Sequence, residues 1–516
     1  MKKFSKILAF AAIALGVSSC FKDLGNYDYI EFDNFEVKEL ENSYSVISFR
    51  DNLKIEPEII SKATDFEYRW FITRKDNEGK EVVDTLSREK VLDVPFEYKT
   101  GQYPIYLRVQ NVESGAAKFV SSVVRCTTPF LDAFYILKET TDGNTELDIH
   151  YPSGEPSVNM IEKTIGAPLQ GKPKSLSYNP FFSYLDQEIG ENVIDDLLIP
   201  ASETDRVSFR LSDMNVARSN DEWFYSPYPS SKIRYSLTMW AGVIIMTDDG
   251  MHQNYQVPAW GMLTSGIFSD VPNRTEDEQG SFYDVSSDVC VSNDGGFSNA
   301  FFYDKRTNQF INIDFNSTPR HCNLMNGELV ENLEGEVVDL VGSSLDGPRM
   351  FIICERENGS RYCYYTNAEE TNKIDLLKKF EFGAFEEFSK SEMYAGCRKG
   401  GNILYSVYKN KVYAFNPASE QSDVLDFVDL PAGDIVYLDT MNFIVDGEES
   451  ISFNYLLVGL DNAGKYSLAM YDMVGGIPVK DEGPVRVING EGRIKTVQYV
   501  NALKNGNTSG EWSIHY

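Results

Sequence analysis

The chain is 516 residues long and carries 78 Asp and Glu against 48 Lys and Arg, which gives a formal net charge of −30 at pH 7. A protein this acidic is repelled by the phosphates of nucleic acids, and it lacks the basic clusters that hold proteins on anionic lipid surfaces. We therefore expect neither a nucleic-acid-binding protein nor a protein that adheres to a membrane through its own surface.

The beginning of the chain has the pattern of an export signal. Three lysines lie within the first six residues, and an uncharged apolar run, 7–17, follows them. A membrane-spanning helix needs about 20 apolar residues, so this shorter run predicts a secretory signal peptide over residues 1–19. Small residues then lead into Cys20, and the arrangement resembles a bacterial lipobox, which implies a diacylglycerol lipid on Cys20. A plain secreted protein in which Cys20 is incidental is the alternative.

No later segment of the sequence reaches membrane-spanning length, so we expect the lipid to be the only attachment to a membrane. Stable anchoring takes more than one acyl chain, which a triacylated cysteine would supply. Residues 20–34 are polar and aromatic and are too short to fold alone. We predict that they form a tether.

Residues 35–127 predict an immunoglobulin-like β-sandwich of the PKD type. Apolar and polar residues alternate over 66–72, as they do in a half-buried strand. Further strands are predicted at 101–109 and 117–125, and several short strands at this spacing are typical of a sandwich. Trp70, on a middle strand, is the expected centre of the core.

Residues 128–516 predict a β-propeller, so that the whole fold is all-β. A unit of strand, turn and strand recurs, and one propeller blade takes about 40–50 residues. Packing such units around a ring buries the apolar face that each of them exposes alone. The hairpins predict seven blades, and two stacked sandwiches are the alternative. The predicted hairpins pair 133–137 with 147–150, 197–199 with 207–211, 242–246 with 254–257, 300–303 with 310–313, 350–355 with 361–365, 402–408 with 412–415, and 455–458 with 468–471.

Two further elements complete this prediction. A last strand at 492–499 is expected to close the ring beside the first blade. The only helix predicted is 375–388, on a loop between blades.

Six cysteines remain beyond Cys20, and an exported protein can form disulfides. Asn358-Gly359 is a strong signal for a two-residue hairpin loop. With such a loop Cys354 lies opposite Cys363 in a non-hydrogen-bonded pair, whose Cα atoms are about 4.5 Å apart, a distance that a disulfide can bridge. We therefore predict a Cys354–Cys363 disulfide, with two free buried thiols as the alternative.

The sequence patterns of common catalytic and metal sites are missing. The four histidines do not lie at metal-ligand spacing from one another, and there is no Cys-x-x-Cys and no Gly-x-Ser-x-Gly elbow. We therefore expect no metal, no cofactor and no enzymatic activity. Acidic residues are so numerous that finding two of them suited to glycoside cleavage is no evidence for a hydrolase. A propeller-type polysaccharide hydrolase or lyase stays open as the alternative.

Aromatic loops are the predicted ligand surface. Trp223, Phe224, Tyr225 and Tyr228 lie among prolines, and Trp260 follows another proline closely. Exposed aromatic clusters tend to mark binding sites, and ring faces stack on sugars or on peptide side chains. We therefore predict glycan or peptide binding at these five residues. The alternative is that the rings fill gaps between blades.

The order of these features along the chain resembles the PKD-like lipoproteins of Bacteroidota. The resemblance rests on the lipobox and on the phrases GNYDY, EYRWFI, TGQYPIYLRVQNVESG, YDKRTNQFINI, KNKVYAFNP and GRIKTVQY. It implies a cell-surface lipoprotein of the outer membrane that accompanies a SusC/SusD-type TonB-dependent import complex. In that role the protein would capture or present a glycan or peptide. A purely structural subunit, in which the propeller is a disc that binds other proteins, is a further alternative.

Overall fold

The computed structural model of the protein contains two compact units, Met1–Cys126 and Thr127–Tyr516, and each is described by itself. The described residues are 35–48, 51–75, 80–98, 101–152, 154–226, 233–239, 242–256, 262–275, 280–294, 297–313, 319–344, 348–370, 372–443 and 452–501. Within these ranges no helix combines the length and the apolar character that crossing a membrane requires.

The first unit is a sandwich of antiparallel strands. Its strands are β1 (Glu36–Val37), β2 (Ser43–Ile47), β3 (Asn52–Ile55), β4 (Ile59–Ile60), β5 (Phe66–Lys75), β6 (Glu81–Ser87), β7 (Leu92–Pro95), β8 (Gly101–Asn111) and β9 (Ala117–Thr127). One sheet has the order β2-β9-β8-β5-β6, while β3 pairs with β7 and β1 with β4. Trp70 on β5 lies opposite Leu107 on β8, and both side chains are fully buried. The core predicted around Trp70 is therefore confirmed.

Within the described residues the second unit is a ring of seven blades of mainly antiparallel strands, numbered along the chain. Blades 4 and 5 are joined into one sheet, because residues 323–325 pair in parallel with residues 373–375. Blade 1 contains β10 (Ala133–Glu139), β11 (Thr145–His150) and β37 (Arg493–Val500); blade 2 contains β12 (Pro173–Asp186), β13 (Glu191–Ser202), β14 (Ser208–Arg210) and β15 (Val216–Arg218); blade 3 contains β16 (Ile233–Met239), β17 (Gly242–Thr247) and β18 (Gly250–Tyr255). Blade 4 contains β19 (Val285–Asp294), β20 (Phe297–Asp304), β21 (Gln309–Ile313), β22 (Pro319–Asn326) and β23 (Leu329–Val330); blade 5 contains β24 (Glu336–Ser344), β25 (Pro348–Glu355), β26 (Arg361–Asn367) and β27 (Lys373–Glu381). Blade 6 contains β28 (Met393–Gly396), β29 (Leu404–Tyr408), β30 (Lys411–Asn416) and β31 (Gln421–Leu425); blade 7 contains β32 (Asp434–Phe443), β33 (Phe453–Asp461), β34 (Lys465–Val474), β35 (Ile477–Pro478) and β36 (Arg486–Glu491). The predicted all-β fold with a seven-bladed propeller is confirmed.

The ring is closed by strands from opposite ends of the second unit. β37 pairs antiparallel with β10, so that Phe134 lies opposite Tyr499 and Ile136 opposite Val497. As the innermost strand of blade 1, β37 also contacts β12 of blade 2 and β32 of blade 7. The closing strand predicted at 492–499 is therefore confirmed.

The core of the ring is divided into seven apolar clusters, one between each pair of neighbouring blades. This division follows from the sheet geometry, because alternate side chains of a strand face opposite neighbours. In blade 5, for example, Ile352 packs towards blade 4 and Phe351 towards blade 6. Each blade thus buries apolar side chains of both its faces against its two neighbours.

In the part of the chain that the structure describes, two short α-helices lie outside the blades, α1 (Met160–Ile165) after β11 and α2 (Glu386–Ser389) after β27. The helix predicted at 375–388 is therefore wrong over most of its length, since Lys373–Glu381 is strand β27. Its leucines and lysines favour a helix only weakly, and tertiary context overrides such preferences. Here pairing with β26 and the burial of Ile374 and Phe380 between blades decide the outcome.

The predicted Cys354–Cys363 disulfide is wrong, because both residues are free buried thiols. The hairpin loop has three residues and ends at Gly359, whose φ is +78°, so Glu355 pairs with Arg361 and Cys354 lies opposite Tyr362. A shift of one residue moves a side chain to the other face of a sheet. Cys354 accordingly faces blade 4 and Cys363 faces blade 6. Burial raises the pKa of Cys354 to about 12 and also raises the pKa of Cys363.

Candidate functional site

A cavity of about 430 Å³ opens at the end of the ring where the innermost strands of four blades begin. Residues at or near the starts of β12, β28, β32 and β37 supply most of its lining, so blades 1, 2, 6 and 7 enclose it. Ligand sites in proteins are concave spaces of about this size in which a few polar groups converge. We call this cavity the basic mouth.

Five of the lining residues carry a charge, and four of those five are basic. Arg493 and Lys495 come from β37, and Lys172 and Lys174 come from the beginning of β12. The single carboxylate is that of Glu139, at the end of β10. The local charge is thus opposite to that of the chain, in which acidic residues outnumber basic ones by 78 to 48.

The strand periodicity places these cations together. Arg493 and Lys495 are two residues apart on β37 and both are exposed, whereas Ile494 between them is buried. Two lysines flank the buried Pro173 in the same manner, because successive side chains of a strand point to opposite faces. A basic-x-basic triplet at the start of a strand therefore directs two cations to one side.

Gly492 sets the beginning of β37. Its φ of +100° is a conformation that other residues rarely adopt, and a Cβ there would lie 2.6 Å from the backbone oxygen of Glu139. The N–H of Gly492 donates to the oxygen of Gly464 at 2.7 Å. This tight entry places Arg493 directly opposite Glu139 in the pairing of β37 with β10.

Lys172 and Lys174 form ion pairs with carboxylates. Lys172 Nζ lies 3.6 Å from Glu139 Oε1, and Lys174 Nζ lies 3.3 Å from Glu203 Oε1. Exposed ion pairs of this kind contribute at most about 1 kcal/mol and exchange readily for other partners. Among the described residues Arg493 forms no ion pair.

The opposite side of the basic mouth is apolar. Met393 at the start of β28 and Val436 and Leu438 on β32 line it, so blades 6 and 7 present aliphatic side chains across from the cations of blades 1 and 2. The cavity is therefore amphipathic, with one charged wall and one apolar wall.

Tyr437 completes the apolar wall, and its hydroxyl donates to Asp439 Oδ2 at 3.2 Å. Asp439 in turn accepts a bond from Arg398 Nη2 at 3.1 Å. Burial, and secondly the carboxylate of Asp439, raises the pKa of Tyr437 well above its ordinary value. Tyr437 therefore stays neutral and serves as part of the wall.

A buried polar network lies behind the charged wall and joins blade 1 to blade 7. Lys138 Nζ lies 2.8 Å from Asp148 Oδ2, and the two side chains are 3% and 0% exposed. The Tyr466 hydroxyl donates to the same oxygen at 2.8 Å and lies 2.8 Å from His150 Nε2. Burial lowers the pKa of His150 to about 4. Because its members are almost entirely buried, this network is a structural link across the closure of the ring.

The structure separates the aromatic residues that the sequence predicted as a ligand surface. Trp223 is fully buried and Phe224 is 5% exposed, both in the apolar cluster between blades 2 and 3. The binding role predicted for these two rings is wrong, because their faces are covered by protein. Tyr225 is 73% exposed, and its binding role stays a prediction. Tyr228 and Trp260 lie outside the described residues.

The sequence patterns did not predict that the cations of the basic mouth form one site. Lys172 and Arg493 are more than three hundred positions apart, so only the closure of the ring brings them together. The available signal was the pair of triplets Lys-Pro-Lys and Arg-Ile-Lys at the beginnings of strands, in a chain where acidic residues dominate. The proposed lipid site, Cys20, lies outside the described residues.

The described residues contain no group of three or more His, Cys, Asp or Glu side chains that could hold a metal ion.

Residues 20–173 match the sequence model of the PKD-like family. The matched range covers the first unit from residue 20 onwards and the beginning of the second unit. Comparison with curated proteins gives no match.

Several solved structures are similar to this chain at low identity. A quinonprotein alcohol dehydrogenase-like protein from Bacteroides thetaiotaomicron is 13% identical with a TM-score of 0.37, and the likeness covers 89% of this chain and 97% of that one. A DUF4784 family protein from Bacteroides caccae is 10% identical with a TM-score of 0.29, covering 76% and 95%. An auxiliary nutrient binding protein from B. thetaiotaomicron is 11% identical with a TM-score of 0.28, covering 76% and 85%.

Proposed function

We propose that the protein is a non-catalytic accessory lipoprotein of the bacterial outer membrane that captures a ligand in the basic mouth. It would be held at the cell surface through the lipid on Cys20 and would dock on, or present its ligand to, a SusC/SusD-type import complex. The match of residues 20–173 to the PKD-like family supports this proposal, together with the order of sequence features described above.

The observation that carries the ligand-binding role is the composition of the basic mouth. A charged wall on blades 1 and 2 faces an apolar wall on blades 6 and 7 across about 430 Å³. Such a space offers both apolar contact and oriented polar groups, which is what a small-ligand site requires.

The same composition favours binding over hydrolysis. Glycoside hydrolases in general use two carboxylates about 5–10 Å apart, whereas Glu139 is the single carboxylate among the residues that line this cavity. Tyr437 stays protonated at neutral pH, because burial raises its pKa, so it does not supply a second group that could act as a base.

The test is binding and turnover measured together on the mature protein. Isothermal titration against a panel of oligosaccharides and peptides is expected to give saturable one-site binding without release of new reducing ends or unsaturated products. Cleavage of any panel member at a rate proportional to protein concentration would contradict the proposal.

The anchoring role has a separate test. Replacing Cys20 by Ala is expected to move the protein from the membrane fraction to the soluble fraction and to abolish fatty-acid labelling. Affinity purification of the wild-type protein from solubilised outer membranes is expected to recover a TonB-dependent transporter. Membrane retention of the Cys20→Ala variant would show that the lipid is not the anchor.

A further inference from the structure

We infer that the ligand of the basic mouth is an anionic glycan, bound through its carboxylate or sulfate groups. This inference rests on the proposed binding function and specifies the class of ligand that the site takes.

The charge of the basic mouth is the first argument. Four of its five charged residues are basic, although the chain as a whole has a formal net charge of −30. A basic cavity on an otherwise acidic molecule concentrates the local positive potential, and charges in a cleft with low-dielectric walls act more strongly than on an open surface. Neutral sugars gain nothing from such a field.

The placement of the cations is the second argument. Arg493 and Lys495 project from the innermost strand of blade 1, and Lys172 and Lys174 from the beginning of β12 in blade 2. Because β37 and β12 are in contact, the two pairs form one surface that can reach more than one anionic group. Arg493 presents a planar fork of donors that fits a carboxylate or a sulfate in two-point contact.

Glu139 and the apolar wall favour a sugar over an acidic peptide. Glu139 lies among the cations, and an ionised carboxylate only accepts hydrogen bonds. Its acceptor sites beyond the contact with Lys172 therefore favour a ligand that carries donors beside its anionic group. Hydroxyl groups around a sugar ring supply them. Across the cavity Met393, Val436 and Leu438 match the apolar face of such a ring. A uronic acid or sulfated sugar combines all three features in one residue.

The test compares ligands and variants on the full mature protein. The probes are oligogalacturonate, a sulfated oligosaccharide, a neutral oligosaccharide of the same length, and poly-glutamate. The double variant Arg493→Gln/Lys495→Gln removes two cations of the mouth, and both side chains are exposed, so folding should be preserved. The double variant Lys305→Gln/Lys411→Gln is the control, since it makes the same change in net charge at two exposed lysines of blades 4 and 6 that do not line the cavity.

We expect one of the two anionic oligosaccharides to bind with an affinity that falls as salt rises. The mouth variant should weaken this binding about tenfold to hundredfold, as expected for the loss of charge-assisted hydrogen bonds, while the control variant should bind like the wild type. The anionic probe that binds distinguishes a carboxylate ligand from a sulfate ligand.

Three results would overturn the inference. Equal binding of the neutral oligosaccharide, unchanged by the mouth variant, would reject an anionic ligand but leave the proposed binding function standing. Tighter binding of poly-glutamate than of either anionic sugar would assign the mouth to acidic peptides. Saturable binding of none of the probes would reject the anionic-glycan site. Cleavage of an anionic probe would instead reject the proposed non-catalytic function and leave the class of ligand standing.

Discussion

Lys138 and Asp148 form the most deeply buried ion pair described in the protein, 2.8 Å apart and 3% and 0% exposed. Such a pair stabilises a fold little when intact, but removing one partner leaves an uncompensated buried charge. Here the pair is also bonded to Tyr466 of the neighbouring blade. Its integrity therefore bears on the junction at which the ring closes.

The variant Asp148→Asn should lower the free energy of unfolding by about 3 kcal/mol, because it removes the counterion of the buried Lys138 side chain. Chemical denaturation of the full chain measures this change. Glu491→Gln is the matched control, since it breaks an ion pair with Lys465 whose partners are 71% and 75% exposed; that loss should stay below about 1 kcal/mol. Equal losses in the two variants would contradict the prediction.

His150 makes the stability of the ring depend on pH. Burial lowers its pKa to about 4 in the folded protein, whereas an unfolded histidine titrates near 6.5. Between these values the unfolded chain takes up a proton that the folded chain does not, so stability falls as the pH is lowered from about 6.5 to about 4. The loss should amount to about 3 kcal/mol.

The measurement is the difference in unfolding free energy between pH 7 and pH 4.5. In His150→Gln this difference should be smaller than in the wild type by about 2 kcal/mol, since a glutamine at position 150 does not take up a proton. Carboxylates also titrate in this range, but they are common to both proteins and cancel. An unchanged difference would mean that His150 is protonated in the folded state.

At the scale of single elements, the segment after β15 fills a gap between blades. Trp223 packs there against Phe182 and Phe268, and the guanidinium groups of Arg206 and Arg218 lie 5.6 and 5.8 Å from its ring. The sequence showed an aromatic cluster among prolines but not which of its rings face inwards. Burial of Trp223 and exposure of Tyr225 are decided by packing between blades 2 and 3, which local sequence does not encode.

Trp223→Ala should therefore lower the free energy of unfolding by about 3–5 kcal/mol, the usual cost of removing a buried aromatic side chain. Tyr225→Ala is the control, since the Tyr225 side chain is 73% exposed, and it should change stability by less than about 1 kcal/mol. Both variants should bind the ligand of the basic mouth as the wild type does. Loss of that binding in a folded Trp223→Ala protein would support the aromatic residues, and not the basic mouth, as the ligand site.

The start of β37 gives a second prediction at this scale. Gly492→Ala should destabilise the protein by about 2 kcal/mol or more, because it combines a φ of +100° with a Cβ 2.6 Å from the oxygen of Glu139. Gly475→Ala is the control, since its φ of +58° is unfavourable but nothing lies within 4 Å of the added atom; about 1 kcal/mol is expected there. Ligand affinity should fall only in the Gly492 variant, which displaces Arg493.

Element boundaries show why some predictions failed. The hairpin around Asn358-Gly359 was located correctly, but its loop has three residues, and this single extra residue separated Cys354 from Cys363. The strand at Lys373–Glu381 was mistaken for a helix, because its leucines and lysines suit either structure and only pairing with β26 selects the strand. Local sequence patterns thus predicted the positions of turns and of most strands. They did not predict which residues pair across a hairpin, or which segments become strands only through tertiary pairing.

At the scale of the whole molecule, the number of blades could be predicted because each blade repeats the same strand–turn–strand pattern. The basic mouth could not, since it combines the ends of strands from blades 1, 2, 6 and 7. Positions that far apart in sequence become neighbours only through closure of the ring. A site of this kind is a property of the assembled ring and not of any one motif.

Deleting residues 492–516 should therefore abolish both folding of the ring and ligand binding. Without β37, β10 has an unpaired edge and the apolar cluster between blades 7 and 1 loses Ile494, Val497 and Tyr499. The expected readouts are loss of cooperative unfolding and increased protease sensitivity. Deleting only 502–516, which leaves β37 intact, is the control and should preserve both properties. A stable truncated ring would contradict the view that the blades depend on closure.

One consequence of the closure by β37 concerns the biogenesis of the protein. The strand that closes the ring is also the strand that supplies Arg493 and Lys495, so a nascent or proteolytically clipped chain without this strand would have neither a closed ring nor a complete basic mouth. Under the proposed function, the chain would become able to bind its ligand in the same step in which the ring closes.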